Sequence, residues 1–202
     1  MDPTTEGGGT EAQAKDVCLR LLTDRSRSRY ELETRLAKKG FSPEVTATVL
    51  ARLEAAKLVD DAAFAEQWVH SRHTYSGKGK RALSLELRNK GVNNEHAQLA
   101  LDQIDSDDER ERATELVRKK CRTLSLPDPD DPEARTERDK VVRRLVGMLA
   151  RRGYAQNMAF AVVKSELDLL GSESAPDAVE FDAVELDAVK FDAVEFDGDA
   201  FG

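Results

Sequence analysis

His70 and His73 stand three residues apart, a spacing that puts two imidazoles on one side of a helix and within reach of one metal ion. A metal needs more ligands, yet no third one is near them, His96 is remote in sequence, and no cysteine pair has metal-binding spacing. Asp60 and Asp61 are adjacent carboxylates of the kind that can share acid–base work. They directly precede an apolar helical stripe, which suits them to capping and to offsetting the helix dipole. Gly77 and Gly79 lack the flanking residues of a phosphate-cradling loop. Serines, histidines and aspartates share no local motif of a nucleophilic triad. These residues predict no catalysis, no metal and no cofactor.

Basic side chains carry the surviving chemical signal. Arg25, Arg27 and Arg29 cluster in one inter-helix turn, and Lys38 and Lys39 precede Gly40. Arg72, Lys78, Lys80 and Arg81 surround a second such turn, with Arg88 and Lys90 before Gly91. Arg143, Arg144, Arg151 and Arg152 lie on a helix that ends at Gly153. Cations at helix C-termini complement the dipole, which accounts for Lys38, Lys39, Lys90, Arg151 and Arg152 without any partner. The turn clusters are less well explained that way. A repeated basic stripe fits a polyanion or an acidic groove, because each charge can meet a phosphate or carboxylate in turn. A solvated basic face would leave the same mark.

The elements that must position these charges recur. Leu32–Leu36–Gly40–Phe41, Leu83–Leu87–Gly91–Val92 and Leu145–Leu149–Gly153–Tyr154 share one spacing. Residues four apart stack on one helix face, and glycine favours the left-handed turn that ends a helix, so each copy reads as helix, stop, helix. The spacing predicts an all-α chain of three tandem three-helix repeats in an elongated, curved array. The first covers 11–58 after a flexible tail at 1–10, the second 59–105, and the third 106–171. Ser28 with Glu31 and Ser106 with Glu109 read as capping boxes. Ser42 with Pro43, Asp60, and Asn93 or Asn94 mark further helix starts. Phe64, Ala65, Trp68 and Val69 form a buried stripe, with Phe64 and Trp68 as its anchors. Pro127, Pro129 and Pro132 mark an extended loop near 124–134.

The net charge of −8 conceals segregation. Residues 15–170 carry 30 basic and 26 acidic side chains, whereas residues 171–202 carry one basic and ten acidic. A basic body is thus compatible with an anionic partner despite a pI near 5.1. Hydrophobic residues make up 40% and aromatic residues 5%, which suits thin helical layers better than one thick core. Cys18 and Cys121 fall on apolar helical stripes and form no disulfide framework, so a reducing cytoplasm is expected. No apolar run approaches a membrane span, the N-terminus shows no signal segment, and a monomer is expected. In residues 172–202, Asp177, Asp182, Asp187 and Asp192 each open an Asp-Ala-Val-(Glu/Lys)-(Phe/Leu) pentapeptide. A period of five fits neither helix nor strand, so disorder is expected. The tail reads as a solubilising appendage or, more sharply, as a competitor of nucleic acid for the basic body.

Leu58 to Arg72, containing Asp60, Asp61, Phe64 and Trp68, resembles the signature segment of the RecX regulatory proteins. Leu36-Ala37-Lys38-Lys39-Gly40-Phe41 upstream and Leu87-Arg88-Asn89-Lys90-Gly91-Val92 downstream are similar to two further motifs of that family. The likeness spans roughly residues 12–170 and leaves the acidic tail outside it. It implies a non-enzymatic modulator, usually inhibitory, of the recombinase RecA, bound in the groove of the RecA filament on DNA. The basic turn clusters would then make the contacts, while Asp60, Asp61, Phe64 and Trp68 build the fold. The alternative is a helix-turn-helix-like module that binds DNA directly, if weakly.

Overall fold

Nine helices follow one another in the computed structural model, which describes residues 9–124 and 134–171. They are α1 (Glu11–Asp24), α2 (Arg29–Lys38), α3 (Pro43–Ala55), α4 (Asp61–Ser76), α5 (Lys80–Asn89), α6 (Asn94–Asp102), α7 (Ser106–Cys121), α8 (Ala134–Arg151) and α9 (Gln156–Gly171). No strand occurs among the described residues. The N-terminal tail up to residue 8, most of the proline-rich segment and the acidic tail lie outside them.

Local chemistry sets the helix starts. Ser28 and Glu31 form the expected capping box, Ser42 caps α3 with Pro43 in its first turn, and Asn93 rather than Asn94 caps α6. Asp60 accepts from the backbone N–H groups of Ala62 and Ala63 at 3.1 Å each. The expected capping box at Ser106 is displaced by one residue. Asp105 is the N-cap of α7, where one of its carboxylate oxygens accepts at 2.7 Å from the N–H groups of both Asp107 and Asp108. Helix α4 also runs on through Tyr75 to Ser76 before Gly77, in a left-handed conformation, ends it.

The helices group in threes, each group around its own core. Leu32 and Leu36, Leu83 and Leu87, and Leu145 and Leu149 are all fully buried, one pair per group. Burying each such leucine contributes about 1.5–3 kcal/mol. In the first two groups the third helix packs on both others. In the last, α9 does so against α7 and α8.

Successive groups join through one repeated device. The Ser28 hydroxyl, at the start of α2, donates to the Lys90 carbonyl beyond α5 at 2.6 Å. At the equivalent place one unit on, the Gly79 N–H donates to the Arg152 carbonyl at 2.8 Å. The next amide is also shared. The Arg29 N–H donates to the Asp61 carboxylate at 2.8 Å, and the Lys80 N–H to the Glu109 carboxylate at 2.9 Å. Helices α2 and α5 thus each have an N-terminal amide satisfied by the following unit. Helix α5 has no side-chain cap of its own, so Glu109 takes that role from outside. The row α8, α5, α2 consequently runs head to tail, with the negative end of one helix dipole meeting the positive end of the next.

The glycines that end α5 and α8 serve these joints. A Cβ on Gly153 would lie 2.3 Å from the Ala82 nitrogen, and one on Gly91 would lie 2.3 Å from the Tyr30 Cβ. Gly40 belongs to the first unit and faces open space.

Candidate partner-binding surface

The basic residues divide sharply once the helices are in place. Arg25 pairs with Glu31, Arg27 with Asp24, and Arg29 with Glu54. Arg72 and Lys78 both pair with Glu86, and Lys90 pairs with Glu31 across the first joint at 2.7 Å. Arg152 donates to the Ser76 carbonyl at 2.8 Å across the second joint. These side chains hold the array together, and much of their hydrogen-bonding capacity is already used.

Lys38, Lys39, Arg81, Arg88, Arg143, Arg144 and Arg151 are exposed, and none has an ion-pair partner among the described residues. They all lie on or immediately after α2, α5 and α8, the helices of the head-to-tail row. Arg81 and Arg88 are seven residues apart and so share a side of α5, as do Arg144 and Arg151 on α8. Arg35, exposed on α2, belongs with them. It sits in the same last turn as Lys38, a signal that the turn-centred reading passed over. Lys80 is intermediate, half-buried with its backbone N–H committed to Glu109.

Of the signature residues, Asp61 reaches across the first joint and Trp68 meets Lys90, which also does. Phe64 is buried and stacks on Trp68 with ring centroids 5.7 Å apart. Trp68 is only half-buried, and this is where it departs from the expected core anchor. Its indole N–H donates to Glu86 at 2.9 Å, while Lys90 lies 4.6 Å and Arg72 5.6 Å from its ring centroid. Cations over an indole face gain from the ring quadrupole, so Trp68 couples the second core to the ion network. Asp61 departs from its expected role as well. It caps α2 of the preceding unit rather than serving α4 alone.

Two carboxylates anchor that network. Burial pushes the Glu31 carboxyl up, but hydrogen bonds from Arg25 and Lys90 outweigh it and hold the group below its ordinary value. Glu86 behaves alike, with burial opposed by Arg72, Trp68 and Lys78. At the second joint, burial pushes Tyr154 up to about 12, so its hydroxyl stays a neutral donor to the Gly77 carbonyl at 3.3 Å. A further buried carboxylate, Glu166, takes a bidentate pair from Arg118 at 2.6 and 3.0 Å. Their separation of 48 residues hid the pair from any local pattern.

His70 and His73 line a groove of about 410 Å³ between α4 and α7, beside Asp108, Glu111 and Glu115. Among the described residues no cluster of three or more histidine, cysteine, aspartate or glutamate side chains has metal-binding geometry. His73 instead places Nδ1 2.9 Å from the Lys78 carbonyl. Cys18 and Cys121 are buried, unpaired and raised in pKa by that burial. No described helix is long and apolar enough to cross a membrane.

Comparison with known proteins agrees with this construction. A family model described as "RecX, first three-helix domain" matches residues 14–53, within α1–α3, and "RecX, second three-helix domain" matches 60–101, within α4–α6. "Regulatory protein RecX" of Mycolicibacterium vanbaalenii is 57% identical over 166 residues, covering 82% of this chain and 87% of the relative. Its counterpart in Mycolicibacterium smegmatis is 54% identical over 167 residues, covering 83% and 84%. A crystal structure of RecX from Lactobacillus salivarius superposes with a TM-score of 0.64 at 20% identity, over 79% of this chain and 97% of that one, and speaks for the fold alone.

Proposed function

Because this chain belongs to the RecX family, we propose that it binds the RecA filament on DNA and inhibits the recombinase, its ATP turnover and strand exchange, in recombination, repair and the SOS response. It acts without catalysis, as a cytoplasmic monomer. The observation that carries this reading is the row α8–α5–α2, along which exposed cations without an ion-pair partner among the described residues recur at one or more places per unit. A row of similar modules can follow a polymer that itself repeats, and several weak contacts then combine through effective concentration. Arg81, Arg88, Arg144 and Arg151 are the primary contact residues, with Lys38 and Lys39 at the far end.

Direct sequence reading of DNA draws less support. A helix-turn-helix module inserts its last helix into the major groove, and that helix needs polar and basic side chains facing outward. The sequence of α6, NEHAQLALD, contains no lysine or arginine. In α3 the single arginine, Arg52, is paired with Glu11 at 2.6 Å.

The test is a titration into RecA on single-stranded DNA while following ATP hydrolysis and strand exchange. Inhibition is expected well below one molecule per RecA protomer. The double variant Arg81→Glu, Arg88→Glu should raise the inhibitory concentration by about tenfold or more, since each exposed contact contributes on the order of 1 kcal/mol. Inhibition that is unaffected by these changes would remove the row from the contact surface. Tight, sequence-selective binding to naked DNA would favour the helix-turn-helix reading instead.

A further inference from the structure

The cationic row has a potential occupant within the same chain. Helix α9 ends at Gly171 and packs against α8, one member of the row, so the residues that follow begin beside it. Those residues hold ten acidic side chains against one basic, in a chain whose body is net basic. They are also periodic. Four pentapeptides place an aspartate first and a glutamate fourth, with Lys190 replacing the glutamate in the third copy. An extended pentapeptide advances about 16–17 Å. At about 1.5 Å per residue the 18-residue α8 is about 27 Å long and the ten-residue α5 and α2 about 15 Å each, so two pentapeptides match α8 and one matches each of the others.

We propose that residues 177–196 bind in cis along the α8–α5–α2 row as a tethered polyanion mimic, and so compete with the polyanionic or acidic partner for the same cations. The inference rests on reading that row as the partner-binding surface, and it specifies how that surface is regulated. Charge selects the row over other places within reach. The groove between α4 and α7 is lined by Asp108, Glu111 and Glu115 and repels an acidic segment. The groove between α1 and α3 includes Lys15 and Arg52, but Glu11 lines it too and already occupies the Arg52 guanidinium, which leaves a single cation there. Along the row Lys38, Lys39, Arg81, Arg88, Arg144 and Arg151 are exposed and unpaired among the described residues.

Tethering makes weak contacts sufficient. Short covalent linkers impose millimolar effective concentrations on the groups they join. Exposed ion pairs are individually feeble and screened by salt, so the docking is reversible. A polymeric partner that engages the whole row displaces the tail, whereas an isolated or short stretch of partner does not. The acidic tail therefore sets a threshold of partner length below which the chain stays unbound.

The test uses the full chain with a nitroxide spin label on Ala188→Cys. Cys18 and Cys121 are buried and raised in pKa, which leaves the new thiol the reactive one. At low salt the amide resonances of Arg81–Arg88 and Arg143–Arg151 should broaden more than those of α1, α3 and α6. The broadening should vanish at about 0.5 M salt. It should also vanish when the pentapeptide carboxylates are changed to amides, as in Asp182→Asn and Glu185→Gln. No broadening at low salt, or broadening centred on the α1–α3 groove, would overturn the assignment of the row. This readout contains no RecA, so it stands or falls independently of RecA inhibition. In the RecA ATPase titration, the amide-tailed chain should inhibit at about tenfold lower concentration. An unchanged midpoint, with the resonances broadened as expected, would overturn the competition.

Discussion

Gly153 and Gly40 occupy equivalent places in the sequence repeat and have nearly the same backbone angle, φ +88° and +82°. Their surroundings differ completely, and so should their tolerance. An alanine at Gly40 faces only the left-handed backbone, at a cost of about 1–2 kcal/mol. At Gly153 the added methyl also overlaps the Ala82 backbone at the second joint, adding roughly 1–3 kcal/mol. In urea unfolding, Gly153→Ala is therefore expected to lose clearly more stability than Gly40→Ala. Equal losses would mean that the joint yields without cost. The repeated glycine was plain in the sequence as a helix stop. Its second duty was hidden, because nothing local shows what will pack against it.

At the scale of elements, α2 and α5 start on acceptors that belong to the next unit. Asp61 accepts the Arg29 amide, while its neighbour Asp60 accepts the amides of Ala62 and Ala63 in its own helix. Replacing Asp61 by alanine leaves the first amide of α2 without its partner, at a cost of about 1–3 kcal/mol. Hydrogen exchange should accelerate at Arg29 and stay unchanged at Ala62 and Ala63. Acceleration at all three would show Asp61 serving α4 instead. Two adjacent carboxylates before a helix look interchangeable in sequence. Only the approach of α2 separates a local cap from a cap in trans.

For the whole molecule, three small cores in series make the joints the natural points of yielding. At the first joint Glu86 accepts from the Trp68 indole and Glu31 holds the Lys90 that lies over its ring, and both carboxyls are held below the ordinary carboxylate value. Their unfolded value is about 4.3, so their contribution is complete above that pH and is lost as pH falls through the lower folded values. Trp68 is the sole tryptophan and touches both the second core and this ion network. Its fluorescence should stay constant from neutrality to about pH 4.5 and change below about pH 4. The buried leucine pairs, whose packing does not titrate, should keep helical circular dichroism largely intact over the first part of that change. A fluorescence transition centred above pH 5 would assign the joint to other groups.

The sequence alone determined the helices, their grouping in threes and the repeated stop. Those features depend on residues within one or two turns of each other: leucines four apart, serine and aspartate caps, a glycine that tolerates left-handed backbone. It also carried the family likeness, through the contiguous segment from Leu58 to Arg72. Tertiary structure alone decided which charges remain available. Lys90 and Lys38 look alike in sequence, each near the end of a second helix. Lys90 is committed to Glu31, 59 residues away, whereas Lys38 is not paired among the described residues. A cation's partner is chosen by distance in space, and no local pattern encodes that distance.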